Sequence, residues 1–493
     1  MPLILPGNAA SATAATGFNV ENSIMMDHAS TSKLTRTHSG TPTSDKIGTF
    51  SCWVKILPGA QQSLSHSNDG AGSERCQMNI TSSGILDGTW RNAGRTAESD
   101  YASSTDGPLF RDPAAWYHVV WAWDTTDGTA ADRLKVYVNN TRVTLTFSGS
   151  GIPQNTAIPQ SKNGMDFDIG YHEDDNDGYG SGLKGYMAEV VFVDGQQLTP
   201  SSFGEADEDS PNIWKPKDEI ADDITFGTFG FYYKFEDGSN LDTDSSGNSN
   251  GASTASNLTQ ATDTPTNNFA TMNPLDNYYA NSTFSEGNLK LVQGSSTYAH
   301  NSSTIAVTAG KWYVEAKLTT DSEHALVGIT DAAPVGTGTK ILGSGAYDYS
   351  IKQANGDLFN NVGDDPSNDA TNYAAAYAQN DIIGIALDCD NNKLYFSKGG
   401  AWSDGSGSWD STTFNASVGA ITITAPASTD NGHYFFASGD YGGAVCNWEW
   451  NFGGCPPNTI SSGNADGNGY GNFEYAPPSG YYALCTKNLA EYG

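Results

Sequence analysis

Short stretches in which apolar and polar residues alternate recur along the whole chain. In residues 49–56, the even-numbered positions from Phe50 to Ile56 are apolar, and Ser51 and Lys55 fall between them. A period of two residues is typical of a β-strand with one buried face. The same kind of pattern occurs at 116–124, 133–138, 142–147, 166–171, 185–195, 229–235, 311–318, 324–330, 381–388, 393–397 and 433–438. The chain is therefore predicted to be all-β.

Turn-forming residues separate several of these strands. Asn139 and Asn140 stand between the patterns 133–138 and 142–147. Asparagine tolerates the left-handed backbone conformation of a tight turn, so these residues predict a hairpin. Residues 389–392 (Cys-Asp-Asn-Asn) predict a second hairpin.

At 493 residues the chain is longer than one hydrophobic core usually supports. Near the middle, Pro265 and Pro274 follow residues that they bias away from helix, and neither proline can donate to a β-ladder. We therefore predict two antiparallel β-sandwiches (jelly rolls) in tandem. The predicted parts are an N-terminal arm at 1–20, a first sandwich at 21–262, an extended linker at 263–285 and a second sandwich at 286–493. A glycine within a strand, Gly328, predicts close packing there.

Composition narrows the classes of partner. There are 24 Lys and Arg against 56 Asp and Glu, a formal net charge of −32. An acidic surface repels phosphate, so we expect no nucleic-acid and no membrane partner. The six cysteines include no Cys-x-x-Cys pair. Cys446 and Cys455 could bridge a loop, but four of the six lie in strand-like or aromatic settings, which favour buried, reduced thiols. The apolar start is short and lacks basic residues, and no stretch reaches transmembrane length, so we expect no signal peptide or membrane span.

The strand order of the first half resembles a known family. Its motifs are Phe-Ser-Cys-Trp-Val at 50–54, Trp-Tyr-His-Val-Val-Trp at 116–121, Leu-Lys-Val-Tyr-Val-Asn at 134–139 and Gly-Tyr-Met-Ala-Glu-Val at 185–190. This set resembles the laminin-G/concanavalin-A-like lectin and glucanase jelly roll. With Asp-Gly at 194–195, Leu-Thr-Pro-Ser-Ser-Phe-Gly at 198–204 and Asp-Ser-Ser-Gly-Asn at 244–248, it is similar to the version on virion fibre proteins of marine bacteriophages.

The second half is similar to a SPRY (B30.2-like) domain. The motifs are Lys-Trp-Tyr-Val-Glu at 311–315, Val-Gly-Ile at 327–329, Ile-Gly-Ile-Ala-Leu-Asp at 383–388, Leu-Tyr-Phe-Ser at 394–397 and Asn-Phe-Gly at 451–453. SPRY domains generally bind a partner. The ending at 469–488 also resembles that of phage fibre proteins of this arrangement.

These resemblances imply a non-enzymatic virion structural protein. The leading expectation is a tail-fibre or receptor-binding component that recognises host surface glycans or proteins. Residues 1–20 would then contact other virion proteins, and we expect a homo-oligomer, with a trimer as the predicted assembly. The chain would be assembled in the host cytoplasm and exposed on the particle surface. The alternatives are a capsid decoration or head-fibre protein and, in another class, a polysaccharide-cleaving glycoside hydrolase.

Catalytic chemistry finds little support in the sequence. Glucanases of this fold use closely spaced carboxylates on one strand. The nearest pattern, Glu-Ala-Asp-Glu-Asp at 205–209, lies in a Ser/Pro context that predicts a solvated acidic loop. The isolated His118 is expected to be structural. We predict no catalytic residue.

Two acidic loops have the spacing of calcium ligands. Residues 173–178, with Asp175 and Asp177, and residues 242–247 place oxygens at alternate positions before a glycine. Both lack the carboxylate at the twelfth position of a complete calcium loop. Asp175 and Asp177 are the predicted metal ligands, with solvated turns as the alternative. We expect no other cofactor.

The predicted ligand-binding residues lie in a glycine- and serine-rich stretch, 399–410. Trp402 and Trp409 can offer flat apolar faces to a sugar ring, and Asp404 and Asp410 can accept from its hydroxyl groups. The alternative is that both tryptophans fold back over the sandwich as part of its packing.

Overall fold

The structure is a computed structural model of the chain. It describes residues 18–27, 32–57, 59–69, 74–93, 97–103, 109–149, 151–172, 181–208, 210–218, 220–278, 282–293, 298–320, 323–332, 340–362, 371–441 and 445–493. The chain divides into two compact units, with the boundary between Thr266 and Asn267.

The described part of the first unit is built from strands, one short α-helix and short 3-10 helices at Ala130–Asp132, Pro159–Ser161 and Pro200–Ser202. Its strands are β1 (Ser23–Asp27), β2 (Lys33–Thr37), β3 (Ile47–Ile56), β4 (Gln62–Asn68), β5 (Arg75–Ile80), β6 (Leu86–Arg91), β7 (Glu98–Ser103), β8 (Trp116–Asp124), β9 (Leu134–Val138), β10 (Thr141–Arg142), β11 (Leu145–Phe147), β12 (Asp166–Ile169), β13 (Tyr171–His172), β14 (Ser181–Gly182), β15 (Lys184–Asp194), β16 (Gly204–Ala206), β17 (Trp214–Pro216), β18 (Phe231–Tyr233), β19 (Thr254–Ser256) and β20 (Thr259–Ala261). Helix α1 is Ile220–Asp223.

Two antiparallel sheets form the sandwich of the first unit. Sheet 1 has the order β10-β9-β8-β3-β15-β1-β20, with β18 also on β15, and sheet 2 has the order β11-β7-β6-β5-β4-β12-β2-β19. The apolar faces of both sheets meet in one core, where the rings of Phe50 and Phe167 have centroids 5.6 Å apart. The alternation at 49–56 and 116–124 is confirmed, because Phe50, Cys52, Val119 and Trp121 belong to this core.

At both sides of this sandwich the chain passes from one sheet to the other. Strand β10 pairs with β9 in sheet 1, and after Arg142 the chain crosses so that β11 pairs with β7 in sheet 2. Strands β19 and β20 repeat this crossing on the opposite side. The hairpin predicted at Asn139 and Asn140 is confirmed, with φ of 45° and 65° at these residues. The single second strand predicted over 142–147 is wrong, because that stretch is shared between two sheets.

The second unit is also a sandwich. Its strands are β21 (Met272–Asn277), β22 (Ser282–Ser285), β23 (Lys290–Gln293), β24 (His300–Ser303), β25 (Lys311–Leu318), β26 (Ala325–Thr330), β27 (Tyr349–Lys352), β28 (Asp357–Phe359), β29 (Thr371–Asn372), β30 (Ile382–Asp388), β31 (Lys393–Lys398), β32 (Ala401–Ser403), β33 (Trp409–Ser411), β34 (Ile421–Thr422), β35 (Phe435–Asp440), β36 (Trp448–Asn451) and β37 (Tyr482–Ala483). Helix α2 is Thr486–Tyr492.

Sheet 3 has the order β21-β24-β35-β26-β27-β28-β29, and sheet 4 has the order β22-β23-β36-β25-β30-β31-β32-β33, with β34 on β31 and β37 on β25. The two sheets meet where Trp450 Nε1 lies 3.3 Å from Ser438 Oγ. On the outer face of sheet 4, the C-terminal segment packs Phe473 and Tyr481 against Tyr313 and Tyr395. The all-β prediction of two antiparallel sandwiches is confirmed.

The stretch predicted as an extended linker, 263–285, is instead part of the two units. Asp263 is buried in the first unit and forms an ion pair with Lys55, with 2.7 Å between Oδ2 and Nζ. In the second unit, β21 and β22 lie within this stretch. The prediction is wrong because Pro274 sits in β21, an edge strand of sheet 3, where a missing N–H group need not break the ladder.

The predicted N-terminal arm, 1–20, falls almost wholly outside the described residues, which begin at 18. Val20 is buried against Trp53 in the first unit. Its backbone N–H donates to Thr266 Oγ1 at 3.0 Å. The end of the predicted arm is therefore a packed part of the first unit.

Candidate functional site

The candidate binding stretch forms the outer edge of sheet 4. Strands β31 and β32 make a tight hairpin through Gly399 and Gly400, whose φ values are 58° and 78°. A Cβ at Gly400 would lie 2.6 Å from Cδ1 of Tyr475. Glycine is thus required here both for the turn and for the close approach of a tyrosine from the C-terminal segment.

Trp402 is partly buried and packs against aromatic residues of the second unit. Its ring centroid lies 4.9 Å from that of Phe414 in an edge-to-face arrangement and 6.4 Å from that of Tyr313. Tyr313 belongs to the buried cluster on the outer face of sheet 4, and Phe414 packs against that cluster. Trp402 therefore contributes to packing, as the alternative interpretation of the sequence expected, and its role in ligand binding stays a prediction.

Trp409 is held at the outermost strand, β33, and is half-buried. Its Nε1 donates to the carbonyl oxygen of Ala375 at 2.9 Å, which fixes the edge of the indole. The Lys398 ammonium lies 6.0 Å from the ring centroid. Lys398 Nζ also donates to the carbonyl oxygen of Ala376 at 3.2 Å. The structure thus places an anchored indole beside a cation that the sequence interpretation did not single out.

The two predicted aspartates have different surroundings. Asp404 Oδ1 accepts hydrogen bonds from the backbone N–H groups of Ser406 and Ser408 at 2.8 and 3.0 Å. These bonds lower the pKa of Asp404, and they give it a structural role in the turn before β33. Asp410 is exposed. Of the four predicted residues, Trp409 and Asp410 are adjacent at the surface.

The sequence contains only an indirect indication that Lys398 lies near Trp409. A Lys-Gly-Gly turn reverses the chain after β31, and the next reversal brings β33 to the same edge of the sheet. Lys398 comes near the Trp409 indole, eleven positions later, only because both reversals occur. The alternation of apolar and polar residues therefore could not predict this contact.

The prediction of a loop for the acidic stretch is wrong at its start, where the chain forms a β-strand. Residues Gly204–Ala206 form β16, which pairs with β17. Asp207 is buried, and its Oδ1 accepts from the backbone N–H of Ser210 at 2.9 Å. A Cβ at Gly204 would lie 2.7 Å from the Trp214 indole, and this close packing explains the pairing. Glu205 and Glu208 are exposed, as predicted.

A buried serine–histidine pair is not arranged for nucleophilic catalysis. His118 Nε2 lies 2.8 Å from Ser51 Oγ, and Trp214 Nε1 donates to His118 Nδ1 at 2.9 Å. An indole N–H can only donate, so Nδ1 accepts and Nε2 carries the proton. The ring therefore donates to Ser51 and cannot take its proton. Burial lowers the pKa of His118 to about 3, so it stays neutral, in agreement with the expected structural role.

The predicted metal ligands Asp175 and Asp177 lie outside the described residues. In the second acidic loop, Asp244 accepts from the backbone N–H groups of Tyr232, Ser246 and Asn250 at 2.8, 2.9 and 2.7 Å. These bonds tie the loop together as a turn. Within the described ranges, no three His, Cys, Asp or Glu side chains converge as metal ligands.

All six cysteines lie among the described residues and are buried. Burial raises the pKa of Cys76 and of Cys485 to about 12, and raises that of Cys52 and Cys389 further. These four side chains are therefore neutral thiols at any physiological pH. In the part of the chain that the structure describes, no helix is both long and apolar enough to cross a bilayer.

Comparison with known proteins gives structural likeness only. No protein-family model and no curated protein matches the chain. Similar solved structures include the SPRY domain of human HERC1, at 12% identity over 38% of this chain and 99% of that one, with a TM-score of 0.28. A heptameric SAP-like pentraxin from Limulus polyphemus matches at 17% identity over 37% and 80%, with a TM-score of 0.26. The CBM40 of a Ruminococcus gnavus IT-sialidase matches at 15% identity over 37% and 96%, with a TM-score of 0.25. The likeness is to SPRY, pentraxin and carbohydrate-binding domains, and at these low scores it carries no argument about function.

Proposed function

We propose that this protein is a non-enzymatic virion protein of a bacteriophage, and specifically a tail-fibre or receptor-binding component that recognises a glycan on the host surface. The phage assignment rests on the sequence motifs of both halves, since a fold alone does not fix a function. In this proposal residues 1–20 contact other virion proteins, and the copies form a homo-oligomer, with a trimer expected. The protein then acts at the particle surface.

The observation that carries the glycan proposal is the placement of Trp409. Its indole is fixed by the bond to Ala375, yet the side chain is half-exposed at a sheet edge. A flat, immobilised aromatic face suits the apolar face of a sugar ring. The exposed Asp410 can accept from sugar hydroxyl groups, and Lys398 can donate to them. Lys398 Nζ lies 6.0 Å from the centre of the indole ring, and Asp410 follows Trp409 directly on the same strand.

The test measures binding of the purified full chain to an array of bacterial surface polysaccharides. Trp409→Ala is expected to weaken binding by about 1–3 kcal/mol, the usual contribution of an aromatic stacking contact. Trp409→Phe keeps a flat face and is expected to retain part of the affinity. Thermal unfolding of both variants should stay close to that of the parent protein.

Trp402→Ala is the matched control, because it removes the same side chain from the neighbouring strand. It is expected to unfold at a lower temperature, since Trp402 packs on Phe414 and Tyr313. A Trp409→Ala variant that is stable and binds every polysaccharide as the parent does would contradict the proposal. Antibody labelling of intact particles would distinguish a tail position from a capsid position.

A further inference from the structure

The face of sheet 2 that is turned away from the apolar core carries rows of polar side chains. Cross-strand pairing places Asn79 on β5 directly opposite Asp87 on β6. The next row consists of Gln77, Thr89 and Asp100 on β5, β6 and β7. Residues two positions apart on a strand share a face, so these five side chains form one surface. We name it the Asn79–Asp100 patch.

The alternate positions of the same strands confirm which face this is. Met78, Trp90 and Tyr101 all belong to the core of the first unit. The patch therefore lies on the opposite side of the sheet, where Asp87 is half-buried and Asp100 is exposed at its rim.

Several polar atoms of the patch lack a partner. Asn79 is 0% exposed, and its Oδ1 has no hydrogen-bond partner in the described part of the chain. The same holds for Oε1 of Gln77, which is 8% exposed, and for Oδ1 of Asp87. Buried polar atoms are nearly always paired. Three unpaired side-chain oxygen atoms on one patch therefore indicate a ligand that interacts with oxygen atoms.

The patch also brings like charges together. Burial raises the pKa of Asp87 to about 6, and the neighbouring Asp100 carboxylate raises it too, while a hydrogen bond from the Asn79 amide group lowers it. Asp100 Oδ1 accepts from Thr89 Oγ1 at 2.8 Å, so its position is fixed. A cation between the two carboxylates would remove their repulsion.

Two positive side chains lie one row further along the sheet. Arg75 and Arg91 are paired across β5 and β6, and Glu98 Oε1 lies 3.8 and 2.8 Å from their NH2 groups. The row of Gln77, Thr89 and Asp100 separates this pair from Asn79 and Asp87. The arginines therefore do not occupy the position between the unpaired oxygens.

We propose that the Asn79–Asp100 patch binds a divalent cation, with Asn79, Asp87 and Asp100 as its protein oxygen ligands. Carboxylate and amide oxygens select a hard cation, and an irregular set spread over three strands suits calcium better than the strict octahedron of magnesium. Gln77 Oε1 and water, or the hydroxyl groups of a bound sugar, would complete the shell. The proposal uses neither Asp175 nor Asp177 and does not depend on the glycan proposal at Trp409.

The experiment measures thermal unfolding of the full chain in EDTA and in 1–10 mM calcium or magnesium chloride. Calcium is expected to raise Tm by about 2–5 °C, because a ligand that binds only the folded state stabilises it. Isothermal titration with calcium chloride should show a binding event that Asp87→Asn with Asp100→Asn removes. That double variant should unfold in EDTA at the parent temperature or above, because amides lift the repulsion without changing shape.

Two controls separate this site from other acidic groups. Asp166→Asn changes a carboxylate on the same sheet that accepts from Thr37 Oγ1, and it should leave the calcium response intact. Asp175→Asn with Asp177→Asn tests the predicted loop, and it too should leave the response at the patch unchanged. A parent protein without any calcium response, or a response that survives the loss of Asp87 and Asp100, would overturn the proposal.

Discussion

Two buried glutamates, Glu189 and Glu315, are the ionisable residues with the clearest consequence for stability. Burial raises the pKa of each to about 7. Glu189 accepts from the Tyr232 hydroxyl group. Glu315 accepts from the backbone N–H groups of Glu474 and Tyr475 at 2.9 and 2.8 Å, which ties the C-terminal segment to sheet 4.

The direction of the pH effect follows from these pKa values. An unburied glutamate has a pKa of about 4.5. Between this pH and about pH 7, the two glutamates are protonated in the folded protein and ionised in the unfolded chain. Stability from these two groups is therefore complete below pH 4.5 and is lost as the pH rises through 7. His38 and His118 act in the opposite direction, because burial lowers their pKa values to about 4 and 3, so their contribution is lost as the pH falls below 6.5.

We predict that Glu189→Gln with Glu315→Gln flattens the rise in stability between pH 7.5 and 6.5. Each unit of pKa difference corresponds to about 1.4 kcal/mol, so the change is measurable by urea unfolding at several pH values. Glu205→Gln, at an exposed position, should keep the parent pH profile. The same slope in the double variant as in the parent would contradict the assignment of these two groups.

At the scale of the strand, Gly328 shows how closely β26 and β27 pack. A Cβ on Gly328 would lie 1.9 Å from the carbonyl oxygen of Tyr349 and 2.8 Å from Cα of Ser350. These neighbours are backbone atoms and cannot move without moving the strand. The close packing predicted for this glycine is confirmed.

We predict that Gly328→Ala destabilises the protein by about 3 kcal/mol, because the added methyl group must separate two strands. Gly128→Ala is the control, since a Cβ there meets nothing within 4 Å and the backbone needs no positive φ. It should change stability by less than about 0.5 kcal/mol. Equal unfolding midpoints for the two variants would show that β26 and β27 can separate freely.

The sequence predicted strands better than it predicted which strands pair. Alternation identified β3, β8, β25 and β30, because each has a face that must be apolar. It could not show that the chain changes sheets after Arg142, since that depends on where the sandwich ends. Pro274 led to the wrong prediction of a linker for a similar reason. Only the order of strands in sheet 3 shows that β21 is an edge strand, where a proline is tolerated.

The candidate sites were predictable to a smaller extent. Trp409 stood out because no strand pattern required it to be buried, whereas Trp402 has the same local signal and differs only through its contact with Phe414. The Asn79–Asp100 patch arises from three strands in register, and its residues have no unusual local context. Contacts such as Lys55 with Asp263, 208 positions apart, likewise leave no trace in local sequence.

At the scale of the whole molecule, we predict that the protein releases no reducing sugar from bacterial surface polysaccharide. The serine–histidine pair has the wrong proton arrangement, and Asp207 and Asp244 hold turns together. The measurement is a reducing-end assay on the full chain over several hours. The variants are Glu205→Gln with Glu208→Gln, and Asp87→Asn with Asp100→Asn. Sugar release that one of these variants abolished would make that carboxyl pair catalytic and would contradict the non-enzymatic proposal.

The burial of all six thiols has a consequence for the environments in which this protein can fold and act. Thiolate is the form that attacks disulfides and reacts with oxidants. Burial shields all six sulfur atoms, and the raised pKa values of Cys52, Cys76, Cys389 and Cys485 nearly eliminate the thiolate of these four. The fold also needs no cross-link for its two cores. The same structure is therefore expected under the reducing conditions of a cytoplasm and under the oxidising conditions outside a cell. A protein of this kind could be made in the first environment and act in the second without any change in its cysteines.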